Sequence, residues 1–291
     1  MKGSGVGISQ RALKTKNTMI ENVARIGNFT SSKIAALMSN GKKAGEMGAP
    51  AKTYIQEKNM ERRLGRSLST EISSKATSWG KLVEGVAFML LPEGYVLTSS
   101  DTIVHPEIHY WSGSPDGENH ETSTIIDIKC PNTLKSFCQF VDCKDIEEIR
   151  ENHKDGDTYY WQIVSNAILT GMTHGELIIY CPYKRELDTI RDFAANYDGN
   201  QKKFEWISMW AEDNDLPYLI EGKHYKNLNI IRFEIPQSDK DALTARVKEA
   251  GAMLIDTDPI IPKKTKPTKE QIEEAQEKIK MMKELRARLG R

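Results

Sequence analysis

The run Thr124-Ile-Ile-Asp-Ile-Lys-Cys-Pro131 is the segment that most restricts what this chain can become. In a β-strand successive side chains point to opposite faces, so Ile126, Ile128 and Cys130 share one face while Ile125, Asp127 and Lys129 share the other. A carboxylate and an ammonium are thereby set side by side on a strand apolar enough to lie inside a sheet. A second carboxylate, Asp116, comes shortly before in Ser114-Pro-Asp-Gly117, where a Pro-Asp-Gly turn can swing it back to the same place. Two hard oxygen ligands and an ammonium suit Mg²⁺-dependent phosphodiester hydrolysis. Each half also has a plainer reading. Asp-x-Lys can be the solvated face of a half-buried strand, and Pro-Asp-Gly is a favoured turn without chemistry.

Around this strand the hydrophobic periods predict an alternation of helices and strands. Residues 1–18 are polar, glycine-bearing and basic, and are expected to be a mobile lead-in. Thr30 stands as N-cap before Ser31–Met38, where Ile34, Leu37 and Met38 recur at helical spacing. Further helices are expected over Tyr54–Leu64 and Trp79–Leu91, then three strands over Tyr95–Val104, Ile108–Ser112 and Thr124–Cys130. A charged stretch around Asp142–Gly156 leads into a helix over Thr158–Thr170, with Asp157 as cap and Gly171 as stop. Strands over Glu176–Cys181 and Leu228–Ile235 and a helix over Ser238–Leu254 complete a domain spanning 19–255. Residues 256–267, with three prolines and a lysine cluster, read as a linker. Residues 268–291 read as an amphipathic helix that opens on the capping-box pattern Thr268-Lys-Glu-Gln271 and carries Ile272, Ala275, Ile279, Met282 and Leu289 on one stripe.

Composition excludes some classes and leaves others open. At 291 residues with 38% hydrophobic and 28% charged residues, the chain can bury a full core and is neither collagen-like nor wholly disordered. No stretch reaches the ~18 apolar residues of a membrane span, and the start lacks an apolar signal region, so a cytoplasmic protein is expected. Cys130, Cys138, Cys143 and Cys181 lack zinc or iron–sulfur spacing and read as free thiols. Lys plus Arg and Asp plus Glu both number 41, so no overall basic excess announces a nucleic-acid partner. A local groove can still neutralise phosphates, and Lys42, Lys43, Lys52, Arg62, Arg63, Arg66 and Lys75 form one basic region that serves equally as a solvated helix face.

Two helices carry further candidates. Glu84 is surrounded by Trp79, Leu82, Val83, Val86, Ala87, Phe88 and Leu90, so its carboxylate needs a partner; Lys81 is one option and a bound cation or its water another. Tyr159, Gln162 and Asn166 lie about one turn apart on an otherwise apolar helix. That polar edge can face an active site or form a hydrogen-bonded seam between helices.

Taken in order, Arg25-Ile-Gly with Thr30-Ser-Ser32, Trp79-Gly-Lys-Leu-Val-Glu84, Ser114-Pro-Asp-Gly117, Asp127-Ile-Lys-Cys-Pro131 and Tyr159-Tyr-Trp-Gln162 resemble the signature segments of the phage lambda exonuclease and YqaJ-type viral recombinase family, within the PD-(D/E)xK nuclease superfamily. The resemblance spans about residues 25–180, and the chain beyond about residue 200 shows no matching motif. It implies an α/β (α+β) restriction-endonuclease-like core, a central mixed β-sheet flanked by helices. It further implies that Asp116, Asp127 and the backbone carbonyl of Ile128 hold Mg²⁺, with Mn²⁺ able to substitute, and that Lys129 orients and deprotonates the attacking water. Glu84 (through water), Gln162 and Tyr159 would surround this set, and Arg25, Ser32 and Ser114 would grip a 5′-phosphate. One departure is Asp127, where lambda exonuclease carries Glu.

The resemblance thus points to a 5′→3′ exonuclease on double-stranded DNA ends that leaves 3′ single strands. Its implied partners are a single-strand annealing protein and further copies of itself, as a homo-oligomer that can be a ring trimer. It needs no nucleotide cofactor and no iron–sulfur cluster. A PD-(D/E)xK endonuclease and a catalytically silent DNA-binding module of the same fold are the alternatives.

Overall fold

A computed structural model describes residues 23–68, 74–98, 102–197 and 201–257. The expected lead-in over 1–18, the helix over 268–291 and nearly all of the linker lie outside the described residues. Within them the order is β1 (Phe29–Thr30), a 3₁₀ helix (Ser31–Met38), α1 (Ala49–Leu64), α2 (Lys75–Met89), β2 (Ile103–Val104), β3 (Trp111–Gly113), β4 (Gly117–Asn119) and β5 (Thr124–Lys129). It continues through α3 (Leu134–Val141), α4 (Ile146–Asn152), α5 (Gly156–Thr170), β6 (His174–Tyr180), α6 (Leu187–Ala195), β7 (Leu228–Glu234) and α7 (Gln237–Gly251).

The larger sheet has the order β4-β5-β6-β7 and is mixed. β5 runs parallel to β6, with Asp127 opposite Leu177 and Lys129 opposite Ile179, while β4 and β7 run antiparallel to their neighbours. A parallel pair cannot be closed by a hairpin, and here α3, α4 and α5 form the crossover. The alternation read along β5 is realised as two apolar layers. Ile126 and Ile128 join Ile178 and Tyr180 against Trp79, Leu82, Val83 and Val86 of α2 and Leu187 and Ile190 of α6. Ile125, Leu177 and Ile179 pack instead with Tyr160, Ile163, Val164 and Ala167 of α5 and with Leu243 and Val247 of α7. Asp127 and Lys129 therefore lie on the face covered by α5.

A smaller sheet, ordered β1-β3-β2, stands beside the first. Its parallel pair sets Phe29 opposite Trp111 and Thr30 opposite Ser112. It is pinned to α5 by one buried hydroxyl. Ser165 Oγ accepts from Trp111 Nε1 at 2.8 Å and pairs with Ser31 Oγ at 2.8 Å. Gly113 faces the same helix so closely that any Cβ there would collide with the side chains of Ser31, Asn166 and Leu169.

Helix ends follow local chemistry more closely than hydrophobic period does. α1 begins five residues before the period at Tyr54, because Pro50 is preorganised for a first turn, and it stops at Gly65 in the left-handed region (φ 65°). α2 starts at the Ser74 cap, whose hydroxyl accepts from Thr77 N at 3.1 Å, rather than at Trp79. α5 stops at Gly171 (φ 76°) as expected. Three expectations are corrected. The stretch 95–104 is not one strand: Val96 makes an isolated bridge to Glu118, and among the described residues of the stretch only Ile103 and Val104 pair with β3. The charged stretch after Asp142 contains α4, capped by Asp145 and held by buried Ile146 and Ile149. Thr30 occupies the N-cap position, but its side chain does not cap and the helix is 3₁₀.

Candidate active site

The site grows from β5. Asp127 is 1% exposed; its Oδ1 accepts a hydrogen bond from Gln162 Nε2 at 2.7 Å, and its Oδ2 is ion-paired with Lys129 Nζ at 2.6 Å. Such a carboxylate stays ionised inside a protein only when compensated in this way. The Lys129 ammonium also sits over the Tyr159 ring, 4.8 Å from its centroid. Burial would lower the Lys129 pKa, but the carboxylates of Asp127 and Asp116 outweigh it and hold the pKa above the usual lysine range. Tyr159 and Gln162 are brought together with the two strand residues, so of the two readings of this helical edge these two side chains take the one that faces the strand.

Asp116 arrives differently from the turn expected for Pro-Asp-Gly. Gly117 is already the first residue of β4, opposite Ile126, so Asp116 sits where the chain runs onto the sheet. Its Oδ2 accepts from the Ile128 backbone N–H at 2.7 Å, and the Thr98 hydroxyl donates to the carbonyl of Pro115 just before it. Because an extended residue directs its N–H and C=O to the same edge, the Ile128 carbonyl faces the Asp116 side of β5. The Asp116 carboxylate and the Ile128 carbonyl thus line one edge of β5, and the Asp127 carboxylate stands on its α5 face one residue away in the chain from Ile128.

That donor set fits a hard divalent cation such as Mg²⁺, which takes one or two carboxylates and fills the rest of its shell with water. Among the described residues no group of three or more His, Cys, Asp and Glu forms a metal cluster. Glu84 does not join Asp116 and Asp127 in one. α2 packs on the opposite face of β5, and the Glu84 charge reaches Cys130, where it adds to burial in raising the thiol pKa. A role for Glu84 would therefore run through water.

Arg25 and Ser32 meet beside the smaller sheet, and Ser114 directly follows its strand β3. Arg25 Nη2 donates to Ser32 Oγ at 3.3 Å, and Ser114 Oγ lies 3.2 Å from Thr102 Oγ1. The parallel β1–β3 pairing sets Thr30 opposite Ser112, each two residues before Ser32 and Ser114 respectively. Arg25 and Ser32 are exposed, so both are open to a ligand. Two residues the sequence did not single out belong here. Tyr54 of α1 is 3% exposed, and its hydroxyl accepts from Thr30 N at 2.8 Å and lies 3.3 Å from Thr30 Oγ1. Ser112, opposite Thr30, is wholly buried, and its hydroxyl has no partner among the described residues. The signal for Tyr54 was only its place in a helical period, which does not say what its hydroxyl meets. Asn166, the third residue of the polar edge, is 1% exposed against Gly113, and neither atom of its amide has a partner among the described residues.

The sequence matches the family model of the YqaJ-like viral recombinase domain over residues 22–173, which contains every residue of both clusters. The chain belongs to this family. No curated protein matches it. Among solved structures, LHK-Exo in complex with dAMP is similar over 92% of this chain and 100% of its own, at 20% identity and a TM-score of 0.50. LHK-Exo is an alkaline exonuclease from Laribacter hongkongensis. A phage related exonuclease from Haemophilus somnus 129PT is similar over 78% of this chain and 92% of its own, at 17% identity and a TM-score of 0.50. At these identities the likeness is one of fold, a mixed sheet flanked by helices. Among the described residues no helix is long and apolar enough to cross a membrane.

Proposed function

We propose that this YqaJ-family chain is a Mg²⁺-dependent 5′→3′ exonuclease on double-stranded DNA, acting from 5′-phosphorylated ends and leaving 3′ single strands. The observation that carries the reading is the arrangement around Asp127, with Lys129 at 2.6 Å, Gln162 at 2.7 Å and the Asp116 carboxylate bonded to the backbone N–H of the next residue, Ile128. That LHK-Exo and a phage related exonuclease share its fold supports it.

In this reading Asp116, Asp127 and the Ile128 carbonyl hold the metal, and Glu84 acts through its water. When bound, a divalent cation supplies a nucleophilic water near neutral pH and charge stabilisation on the phosphoryl oxygens. Gln162 fixes the rotamer of Asp127, and Tyr159 fixes the ammonium of Lys129 from the other side. Lys129 orients the attacking water and faces the charge that grows on the scissile phosphate. It holds its proton while both carboxylates attract it, so accepting the water's proton requires that attraction to be offset first. Arg25, Ser32 and Ser114 hold the terminal phosphate.

The test is digestion of linear duplex DNA with Mg²⁺, comparing 5′-phosphorylated, 5′-hydroxyl and covalently closed circular substrates. Loss of one strand from phosphorylated ends, with circles intact, is the expected result. Nicked circles would make the protein an endonuclease. Asp116→Ala should abolish cleavage yet keep DNA binding, and a wild type that cuts nothing would be a binding module. An annealing protein and a ring trimer remain part of the proposal by family resemblance.

A further inference from the structure

Three hydroxyls in the pocket are linked through one buried tyrosine, and counting their protons fixes the direction of every bond. Tyr54 O accepts from the Thr30 N–H, so its own proton needs an acceptor, and the acceptor within reach is Thr30 Oγ1 at 3.3 Å. Thr30 must then direct its proton onward to Ser32 Oγ at 3.4 Å. Ser32 Oγ also accepts from Arg25 Nη2 at 3.3 Å. With its oxygen approached by two donors, Ser32 turns its proton outward, on the exposed side of the cluster. The reverse order would leave the Tyr54 proton unsatisfied inside the protein, which buried polar groups avoid. The chain of bonds therefore runs outward and ends in donors.

The tyrosine is held for this task. Its ring lies 5.5 Å from that of Phe29, and the Lys58 ammonium stands 5.4 Å from its centroid. Lys58 is itself buried and neutralised by Glu61 at 2.8 Å. Burial pushes the Tyr54 pKa up to about 12, so the phenol keeps the proton that starts the relay.

We propose that Tyr54 is a positioning residue that sets the polarity of the Arg25, Thr30 and Ser32 hydrogen bonds, so that Arg25 and Ser32 both present donors and favour a terminal phosphate over a terminal hydroxyl. This rests on the reading that the enzyme works from 5′-phosphorylated ends. A phosphate dianion is all acceptor and accepts every donor the relay presents. A hydroxyl end has a proton of its own and meets no acceptor.

The test is Tyr54→Phe in the full-length protein, with kcat/KM measured on duplexes that differ only in a 5′-phosphate or a 5′-hydroxyl, and a thermal melt as the folding control. The ratio of the two should fall about tenfold, the size of one hydrogen bond to a charged group, mainly through KM on phosphorylated ends. Thr30→Val, which keeps the tyrosine but removes the hydroxyl that links it to Ser32, should lower the ratio similarly. The double variant should lose no more than the larger single, because both cut one chain. An unchanged ratio in Tyr54→Phe and Thr30→Val, beside a wild type that prefers phosphate, overturns the inference alone. A wild type indifferent to its 5′ end overturns the reading beneath it.

Discussion

The two clusters solve opposite problems. Around Asp127 the charge is buried, the contacts are 2.6 and 2.7 Å, and the carboxylate is compensated before any ligand arrives. Around Ser32 the contacts stretch to 3.2–3.4 Å, and Arg25 and Ser32 stay exposed. A buried ion must be held tightly, because an uncompensated one costs several kcal/mol. An exposed phosphate grip gains nothing from closing on itself before its ligand comes. The first cluster is therefore tied to the folding of the sheet, whereas the second can vary with little effect on stability.

Asp127→Ala gives the largest expected separation. It should abolish metal-dependent cleavage and also lower stability by about 1–3 kcal/mol, since the Gln162 amide and the Lys129 ammonium lose their acceptor on the buried face. Activity assays and denaturant melts on the same samples check both losses. A variant that is inactive but fully stable would break the comparison. Arg25→Ala comes next. It should raise KM for phosphorylated ends about tenfold or more while stability moves within about 0.5 kcal/mol, as for exposed substitutions generally. Added salt should erode the wild-type preference for phosphorylated ends, because this pocket is open to screening. A salt titration of the end preference reads that out.

The smallest effect concerns the aromatic rings behind Tyr159. His153 stacks on Phe140 at 3.9 Å and lies 6.0 Å from Tyr159. Burial lowers its pKa below the usual 6.5, so the folded protein holds it neutral while the unfolded chain takes up a proton more readily. The stability from this group is therefore present above about pH 6.5 and is lost as pH falls through and below that value. His153→Phe should flatten the acid limb of the stability curve between about pH 6.5 and 5. An unchanged limb in melts across that range would remove His153 from the account.

Legibility differed between the clusters for the same reasons. Asp127 with Lys129, and Tyr159 with Gln162, were readable because each pair is separated by one period of a regular element. Asp116 was readable as a candidate, but its route was not: a favoured turn sequence turned out to lead directly into a strand. Glu84 was readable as a carboxylate in apolar company, yet the sequence could not say that its helix would cover the other face of β5.

Periodicity by itself determined which side chains share a face, and chemistry at Ser74, Gly65 and Gly171 determined where helices begin and end, because backbone geometry and local hydrogen bonds act over a few residues. Only the tertiary structure decided that Thr30 lies opposite Ser112, that the Tyr54 hydroxyl lies beneath Thr30, and that the Asp116 carboxylate reaches the Ile128 N–H. Those contacts join segments far apart in sequence. Their register is selected by how whole faces of β3, β5 and α5 bury against one another, a property of the assembled core that no short window of sequence contains.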